Sequence, residues 1–477
     1  MPRHLLLSLA LLLAAGPALA ADKDATTLQS LLKAREAGDA QTARQIWEWA
    51  EIGFQEEKSS ALLQKQLTEA GFSIKPGVAA IPTAFVAEWG SGKPVIAIMA
   101  EMDALPGITQ DAKPERSPLR GKLSGHACGH NLFGTASTSA AIAIKQWLEK
   151  TGRKGTIRLL GTPAEEGGSG KVYMVRAGLF DDVDVAMHWH AGDRNSAAVG
   201  QSLSNKTAKF RFYGISSHAS AAPDRGRSAL DGVEAMDMMT NMMREHIPFD
   251  ARMHYVITSG GSAPNVVPDF AESYYYVRHA DPRVVADIFD RVVKASEGAA
   301  LGTGTRVEHE VVGGVYSLLA NDSLGKLMDR QLRTLGGVRY TAEERQFAEK
   351  IFSTLGKTDL ALGSEAEVQP YDTERSQLGS TDVGDVSWVV PTVGLRTATW
   401  VPGTAAHSWQ AVAAGGMSIG YKGMNLAAQA LALTAMELYR DPKQVAAARR
   451  EFEQRRGADF KYVPILGDRA PALDYRR

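Results

Sequence analysis

Val95-Ile96-Ala97-Ile98-Met99 is a continuous apolar run, the pattern of a strand buried on both faces, and Glu101 and Asp103 follow it closely. Such a strand implies a parallel or mixed sheet. Just upstream, Thr83-Ala84-Phe85-Val86-Ala87-Glu88-Trp89 reads as a neighbouring strand. Residues 27–70 carry helical spacing, as in Ala43-Ile46-Trp47-Ala50-Ile52 and Leu62-Leu63-Leu67, with Gly71 placed to end the second of two N-terminal helices. Downstream the strand pattern recurs at Thr156-Ile157-Arg158-Leu159-Leu160, after a helix-like stretch from Thr138 to Lys150, and again at Val183-Asp184-Val185-Ala186-Met187. Strands and helices alternate, which defines an α/β architecture.

Around residue 205 the texture changes. Thr207-Ala208-Lys209-Phe210-Arg211-Phe212-Tyr213 alternates, Met253 to Thr258 and Ala271 to Val277 are further strands, and helical stretches Ala229 to Arg244 and Arg283 to Ala299 lie between. These elements predict a small α+β domain ending near Gly313-Gly314. A charged helical stretch, a long polar loop from Gly363 to Gly379, the apolar run Val386-Ser387-Trp388-Val389-Val390 and a final helix from Tyr421 to Leu438 then return to the first domain.

With 477 residues the chain exceeds what one hydrophobic core usually organises, so two domains are expected. Hydrophobic residues make up 44% and charged residues 22%, a globular balance that disfavours disorder. The formal net charge of -1 lacks the basic footprint of nucleic-acid or anionic-membrane binding, leaving small molecules as the expected partners. Arg3 and His4, the apolar run Leu5 to Ala15, Gly16-Pro17 and then Ala18-Leu19-Ala20 form the three parts of a cleavable export leader over residues 1–20. An exported, periplasmic or secreted protein follows, with no membrane span after cleavage. Cys128 is the single cysteine, so no intramolecular disulfide can form, and metal ligation is a reason to keep a lone thiol in an oxidising compartment.

Metal-ligand residue types cluster after strands in four places: Glu101 and Asp103; His126, Cys128 and His130; Glu165 and Glu166; His188 and His190. In an α/β sheet the carboxyl ends of strands converge on one crevice, so one site explains all four. A lone histidine or cysteine is usually structural, but His126-Ala127-Cys128-Gly129-His130-Asn131 places three ligand types in a glycine-flanked turn. The adjacent carboxylates of Glu165 and Glu166 repel unless a cation or proton shares them, leaving one to bind metal and the other to act as base. Alternation sends His188 and His190 to one side of their strand, one to ligate and the other to support. His407, in a Gly/Pro/Thr loop, carries no assignment by itself. No Walker loop is present, and His309-Glu310 lacks the second histidine of a His-Glu-x-x-His helix.

The chain resembles the peptidase M20 amidohydrolases, in the branch of the aminobenzoyl-glutamate hydrolase B subunit. The resemblance runs through Ala100 to Gly107, Gly125 to Asn131, Pro163 to Gly168, Ser217-His218-Ala219, Pro264-Asn265-Val266-Val267-Pro268, Ser380 to Trp388 and His407 to Gln410. It implies a mixed-sheet, zinc-peptidase-like catalytic domain over residues 21–204 and 316–477, interrupted by a lid and dimerisation domain over residues 205–315. Carried over, it makes Cys128 the bridge between two divalent ions, Zn2+ or Mn2+, with His130, Glu166, His190 and His407 completing their shells. Glu165 becomes the general base, and His218 reaches an active site, in many relatives the partner subunit's, to offset the oxyanion. Asn265 and Arg278 hold the substrate carboxylate, Asp103 and His188 support the ligands, and His126 is a neighbour without a set role. The expected activity is hydrolysis of an amide between an acyl or aroyl group and an amino acid by a homodimer. The alternatives are a dipeptidase or aminopeptidase acting on dipeptide-like substrates with a free amine, and an exported binding protein without turnover.

Overall fold

The computed structural model describes the backbone of residues 5–198, 200, 202–372 and 379–476, with side chains from Lys23 onward except residue 198. The leader expected over residues 1–20 lies outside the residues whose side chains are described. The apolar run at residues 95–99 becomes the strand Val95–Ala100, with every residue buried. It pairs in parallel with Gly155–Gly161, placing Ile96 opposite Ile157, and in parallel with Val185–Gly192 on its other side. Strands with neighbours and covering layers on all sides have no polar face, which is why the run is continuous rather than alternating.

The main sheet has seven strands in the order Ser73–Pro76, Phe85–Ser91, Gly155–Gly161, Val95–Ala100, Val185–Gly192, Thr392–Ala398, Ser196–Ala198. Its centre is parallel and its margins antiparallel, so the sheet is mixed. On one face the helices Leu5–Trp49, His130–Thr151 and Ser418–Arg440 share a core containing Phe133, Trp147, Trp189 and Leu431. On the other, the short helices Gly170–Arg176 and Val383–Ser387 bury Val172, Met174, Phe180 and Val386. Each large side chain buried in these layers stabilises the fold by about 1.5–3 kcal/mol before chain entropy is counted.

A second sheet is antiparallel, with strand order Arg252–Ser259, Phe270–His279, Ser204–Tyr213, Arg306–Val315. Phe210, Phe212 and Tyr275 pack against Val233 and Met236 of the helix Ala229–Met243 and Phe289 of the helix Pro282–Thr303. One face is covered and the other is not, as the alternation predicts. The two sheets together make the mixed α/β layer and separate α+β layer expected from the sequence.

Two local expectations change. The apolar run Val386–Val390 does not enter the sheet: Val383–Ser387 is a helical turn, and the strand is Thr392–Ala398. A short apolar run has no periodicity long enough to separate the two states. The helix expected from Tyr421 to Leu438 spans Ser418–Arg440, and a further helix, Pro442–Arg456, precedes an irregular segment through residue 476. Gly416-Met417-Ser418-Ile419-Gly420 has the spacing of a nucleophile elbow. Ser418, however, is exposed and opens a helix that follows another helix, without the strand that an elbow requires. Among the described residues no helix is long and apolar enough to cross a membrane.

Candidate metal centre

The parallel strands deliver their chemistry to one edge. Glu101 and Asp103 follow Val95–Ala100, Glu165 and Glu166 follow Gly155–Gly161, and His190 lies near the end of Val185–Gly192. His130 opens the helix His130–Thr151 after Gly129, whose φ of 77° puts it in left-handed backbone. A Cβ at Gly129 would fall 2.4 Å from the Cβ of Ala191, so only glycine lets this turn close against the strand.

Cys128, His130 and His190 offer ligand atoms within 4.8 Å of one another, and so do Cys128, Glu166 and His407. Cys128 belongs to both sets, the arrangement a bridging thiolate needs. Glu101, His130 and Glu165 form a third such group. The outer nitrogens of the histidines are fixed from behind. His190 Nδ1 donates to the Ala191 carbonyl at 2.8 Å, leaving Nε2 turned to Cys128 Sγ at 3.5 Å. His130 Nδ1 donates to Asp103 Oδ1 at 3.0 Å, while Asp103 Oδ2 accepts the Glu166 backbone N–H at 2.9 Å. One buried carboxylate therefore orients two residues of these donor groups.

The electrostatics call for a cation. His130 Nε2 and Glu101 Oε2 stand 3.0 Å apart, and Glu166 Oε1 stands 3.2 Å from His407 Nε2. Yet His130 Nε2, Glu101 Oε2 and Glu166 Oε1 are buried without a hydrogen bond among the described residues. Burial, reinforced by the charge of Glu166, pushes the Cys128 thiol far above its ordinary range, so a thiolate there needs positive charge beside it. Burial raises Glu165 as well, together with the charges of Glu101, Glu166 and Asp382. Burial alone would raise Asp103, but the charge and hydrogen bond of His130 outweigh it and hold the carboxyl at about 2. The donor set of thiolate, imidazole and carboxylate fits two divalent ions.

Backbone conformation supports the same turn. Ala164 and His407 have φ of 58° and 60°, unusual for residues with a side chain. The Ala164 N–H donates to Glu56 Oε1 at 2.8 Å, and the His407 N–H donates to the Ala127 carbonyl at 2.9 Å. Glu56 is fully buried, its other oxygen accepts the Thr83 hydroxyl at 2.9 Å, and burial beside Asp103 raises it to about 8. Behind Glu101 lies Lys171, buried completely, with Nζ 2.6 Å from Glu101 and 2.7 Å from Asp382. Burial opposes its charge, but Asp382 and Glu101 outweigh that penalty and keep the ammonium protonated.

The remaining sequence candidates divide. His126 Nε2 donates to the Ile46 carbonyl at 3.1 Å and Nδ1 accepts the Asn131 N–H at 3.2 Å, so it ties the N-terminal helix to the metal turn. His188 lines the same cavity as Cys128 but joins no donor group among the described residues, and burial lowers it to about 3. A Cβ on Gly394 would lie 2.2 Å from its Nε2. Arg278 also lines the cavity. His218 and Asn265 are exposed on the smaller layer and do not line it in this chain. Glu101 was visible as a ligand type without an assignment, whereas Glu56, Lys171 and Asp382 were missed. An ionic residue beside the apolar stretch Val172-Tyr173-Met174-Val175 was the available signal for Lys171.

A mixed α/β sheet carrying a buried Cys/His/Glu donor cluster, with a free carboxylate beside it, defines a metal-dependent hydrolase. The chain belongs to the peptidase family M20/M25/M40, whose model matches residues 97–409. It is 41% identical over 456 residues to the p-aminobenzoyl-glutamate hydrolase B subunit of Escherichia coli strain K12, covering 90% of this chain and 95% of that protein. It is 28% identical to the mouse Xaa-Arg dipeptidase over 86% of this chain and 88% of the relative. The fold matches a Bacillus subtilis dinuclear metal-binding peptidase of the M20 family with a TM-score of 0.60 at 18% identity, covering 86% of this chain and 99% of the other.

Proposed function

We propose that the protein hydrolyses the amide between an acyl or aroyl group and an amino acid, with N-(4-aminobenzoyl)-glutamate as the type substrate. The observation that carries this reading is Cys128 shared by two donor groups with Glu165 beside them, in a chain 41% identical to one subunit of an aminobenzoyl-glutamate hydrolase. Two divalent ions held there would supply Lewis acidity toward the carbonyl and lower the pKa of water. Glu165, not needed as a ligand, takes the proton from the attacking water and returns it to the leaving nitrogen. Cys128, His130 and His190 would hold one ion, and Cys128, Glu166 and His407 would hold the other. The thiolate and imidazoles suit Zn2+, and the carboxylate suits Mn2+ equally well.

A homodimer fits the exposed surface of the smaller layer. Met238, Met242, Val256 and Ile257 are 61%, 64%, 58% and 45% exposed on one helix and on the edge strand Arg252–Ser259. An uncovered edge beside apolar side chains favours pairing with a second copy. In that dimer His218, exposed and outside its own chain's cavity, serves the partner's site by offsetting oxyanion charge, while Asn265 and Arg278 hold the substrate carboxylate. The leader-like residues 1–20 support an exported enzyme, which N-terminal sequencing of protein from the periplasm or medium tests.

Turnover of N-aroyl amino acids against matched unblocked dipeptides, with Zn2+ or Mn2+ added, tests the activity. The blocked substrates are expected to be cleaved faster. Glu165→Gln should lower kcat by about 10²–10⁴-fold while retaining metal. Normal turnover in that variant would overturn the assignment.

A further inference from the structure

The cavity at the metal centre, about 840 Å³, is lined by arginines as well as by the donor cluster. Arg194 already has partners, Asp193 at 2.8 Å and Asp359 at 3.4 Å. Arg278 and Arg476 differ: Arg278 Nε and Arg476 Nη1 are buried and meet no acceptor among the described residues. They arrive from unrelated parts of the chain, Arg278 from the strand Phe270–His279 and Arg476 from the segment after the helix Pro442–Arg456.

That segment is fastened at several points along its length. Tyr462 donates to Asp385 Oδ1 at 2.7 Å, Arg176 to the Arg469 carbonyl at 2.8 Å, and Gln55 to the Leu473 carbonyl at 2.9 Å. At its far end the Tyr475 hydroxyl donates to the Glu166 carbonyl at 3.1 Å, and its ring meets the edge of Phe54 at 5.6 Å. Arg476 Nη2 donates to the same Glu166 carbonyl. The guanidinium is therefore held against the turn that carries Glu165 and Glu166. It has five donors, and a backbone carbonyl leaves its charge unbalanced. Of the carboxylates that share its cavity, Glu101, Glu165 and Glu166 belong to the metal cluster, while Asp193 and Asp382 pair with Arg194 and Lys171.

We propose that Arg476 binds a second carboxylate on the substrate, so that the enzyme selects amides of dicarboxylic amino acids. The inference rests on the amidohydrolase reading above. In it, Arg278 takes the α-carboxylate that every amino-acid product carries, and Arg476 takes the carboxylate of a glutamate or aspartate side chain. Two guanidiniums on separate elements match a dianion whose charges are separated by the amino-acid side chain.

The test compares N-(4-aminobenzoyl)-L-glutamate with N-(4-aminobenzoyl)-L-glutamine, which differ in charge but scarcely in shape. In the metal-loaded enzyme, Arg476→Gln should reduce kcat/KM for the glutamate compound by about 10- to 100-fold, the range of a charge-assisted hydrogen bond, mainly through KM. The loss for the glutamine compound should be at least about tenfold smaller, and Arg476→Lys should fall between. Equal losses on both compounds, or none on the glutamate compound, would overturn the proposal. If the wild-type enzyme cleaves neither, the amidohydrolase reading falls. Calorimetric binding of free L-glutamate and L-glutamine then decides the role of Arg476. Preference for glutamate that Arg476→Gln abolishes supports it, and any other pattern sinks it.

Discussion

Asp103 Oδ1 lies 3.0 Å from Nδ1 of His130, the ring nitrogen facing away from Cys128, so the carboxylate fixes which imidazole nitrogen is left to bind metal. The same side chain accepts the Glu166 N–H through its other oxygen. Asp103→Ala should therefore weaken metal binding by about 10–100-fold without removing a ligand. Asp103→Asn, which can still accept from one of the two donors, should lose less. Titration of the metal-free protein with Zn2+ or Mn2+ measures this, and unchanged affinity in Asp103→Ala would refute the orienting role.

The two donor groups share only Cys128. Cys128→Ala should depress occupancy at both positions, whereas His407→Ala should spare the position formed with His130 and His190. Metal content after equilibrium dialysis separates the cases. Equal stoichiometry in the two variants would contradict a bridging thiolate.

Lys171 is flanked by Glu101 and Asp382, all at most 1% exposed. Removing the ammonium alone strands two carboxylates in an apolar interior. Lys171→Met should cost about 3–5 kcal/mol in denaturant unfolding, the range for breaking a buried pair from one side. A loss below about 1 kcal/mol would mean that the carboxylates are already neutral or hydrated.

In the smaller layer, Tyr275 donates to Asp237 and Thr240 lies 2.9 Å from the same phenol. Burial raises Asp237 to about 6. The folded protein thus holds this proton more tightly than the unfolded chain, whose value is about 4. Its contribution is fully present below the unfolded value and is lost as pH rises through about 6. Asp237→Asn should remove that slope, gaining a few degrees in melting temperature relative to wild type between about pH 4 and pH 6.5. Parallel melting curves across the window would exclude the linkage.

The proposed dimer face makes a separate demand. Met238→Glu combined with Met242→Glu places charge on two exposed apolar positions of the helix Ala229–Met243. Sedimentation should show a monomer of unaltered metal content, with turnover reduced because His218 no longer reaches a second subunit. A variant that remains dimeric would move the interface elsewhere.

What the sequence made legible follows from distance along the chain. Cys128 and His130 are two residues apart and Glu165 and Glu166 adjacent, so their joint purpose could be read locally. The strand Val95–Ala100 announced itself because burial on both faces removes alternation. Lys171 and Asp382 meet across 211 positions, and no local spacing can encode such a pair. Glu56 holds Ala164 from 108 positions away, for the same reason. The segment carrying Tyr475 and Arg476 has neither helical nor strand periodicity; its hydrogen bonds and ring packing are made to elements formed elsewhere. Val386–Val390 misled because apolar content alone does not distinguish a strand from a helical turn.

His190 and His407 are far apart in the order in which a ribosome delivers them. By the time residue 190 has emerged, every donor of the Cys128, His130 and His190 group exists, whereas the Cys128, Glu166 and His407 group awaits more than half of the remaining chain. The two metal positions therefore have different histories. The first donor group is complete while most of the chain is still to be made, and the second only when synthesis is nearly finished.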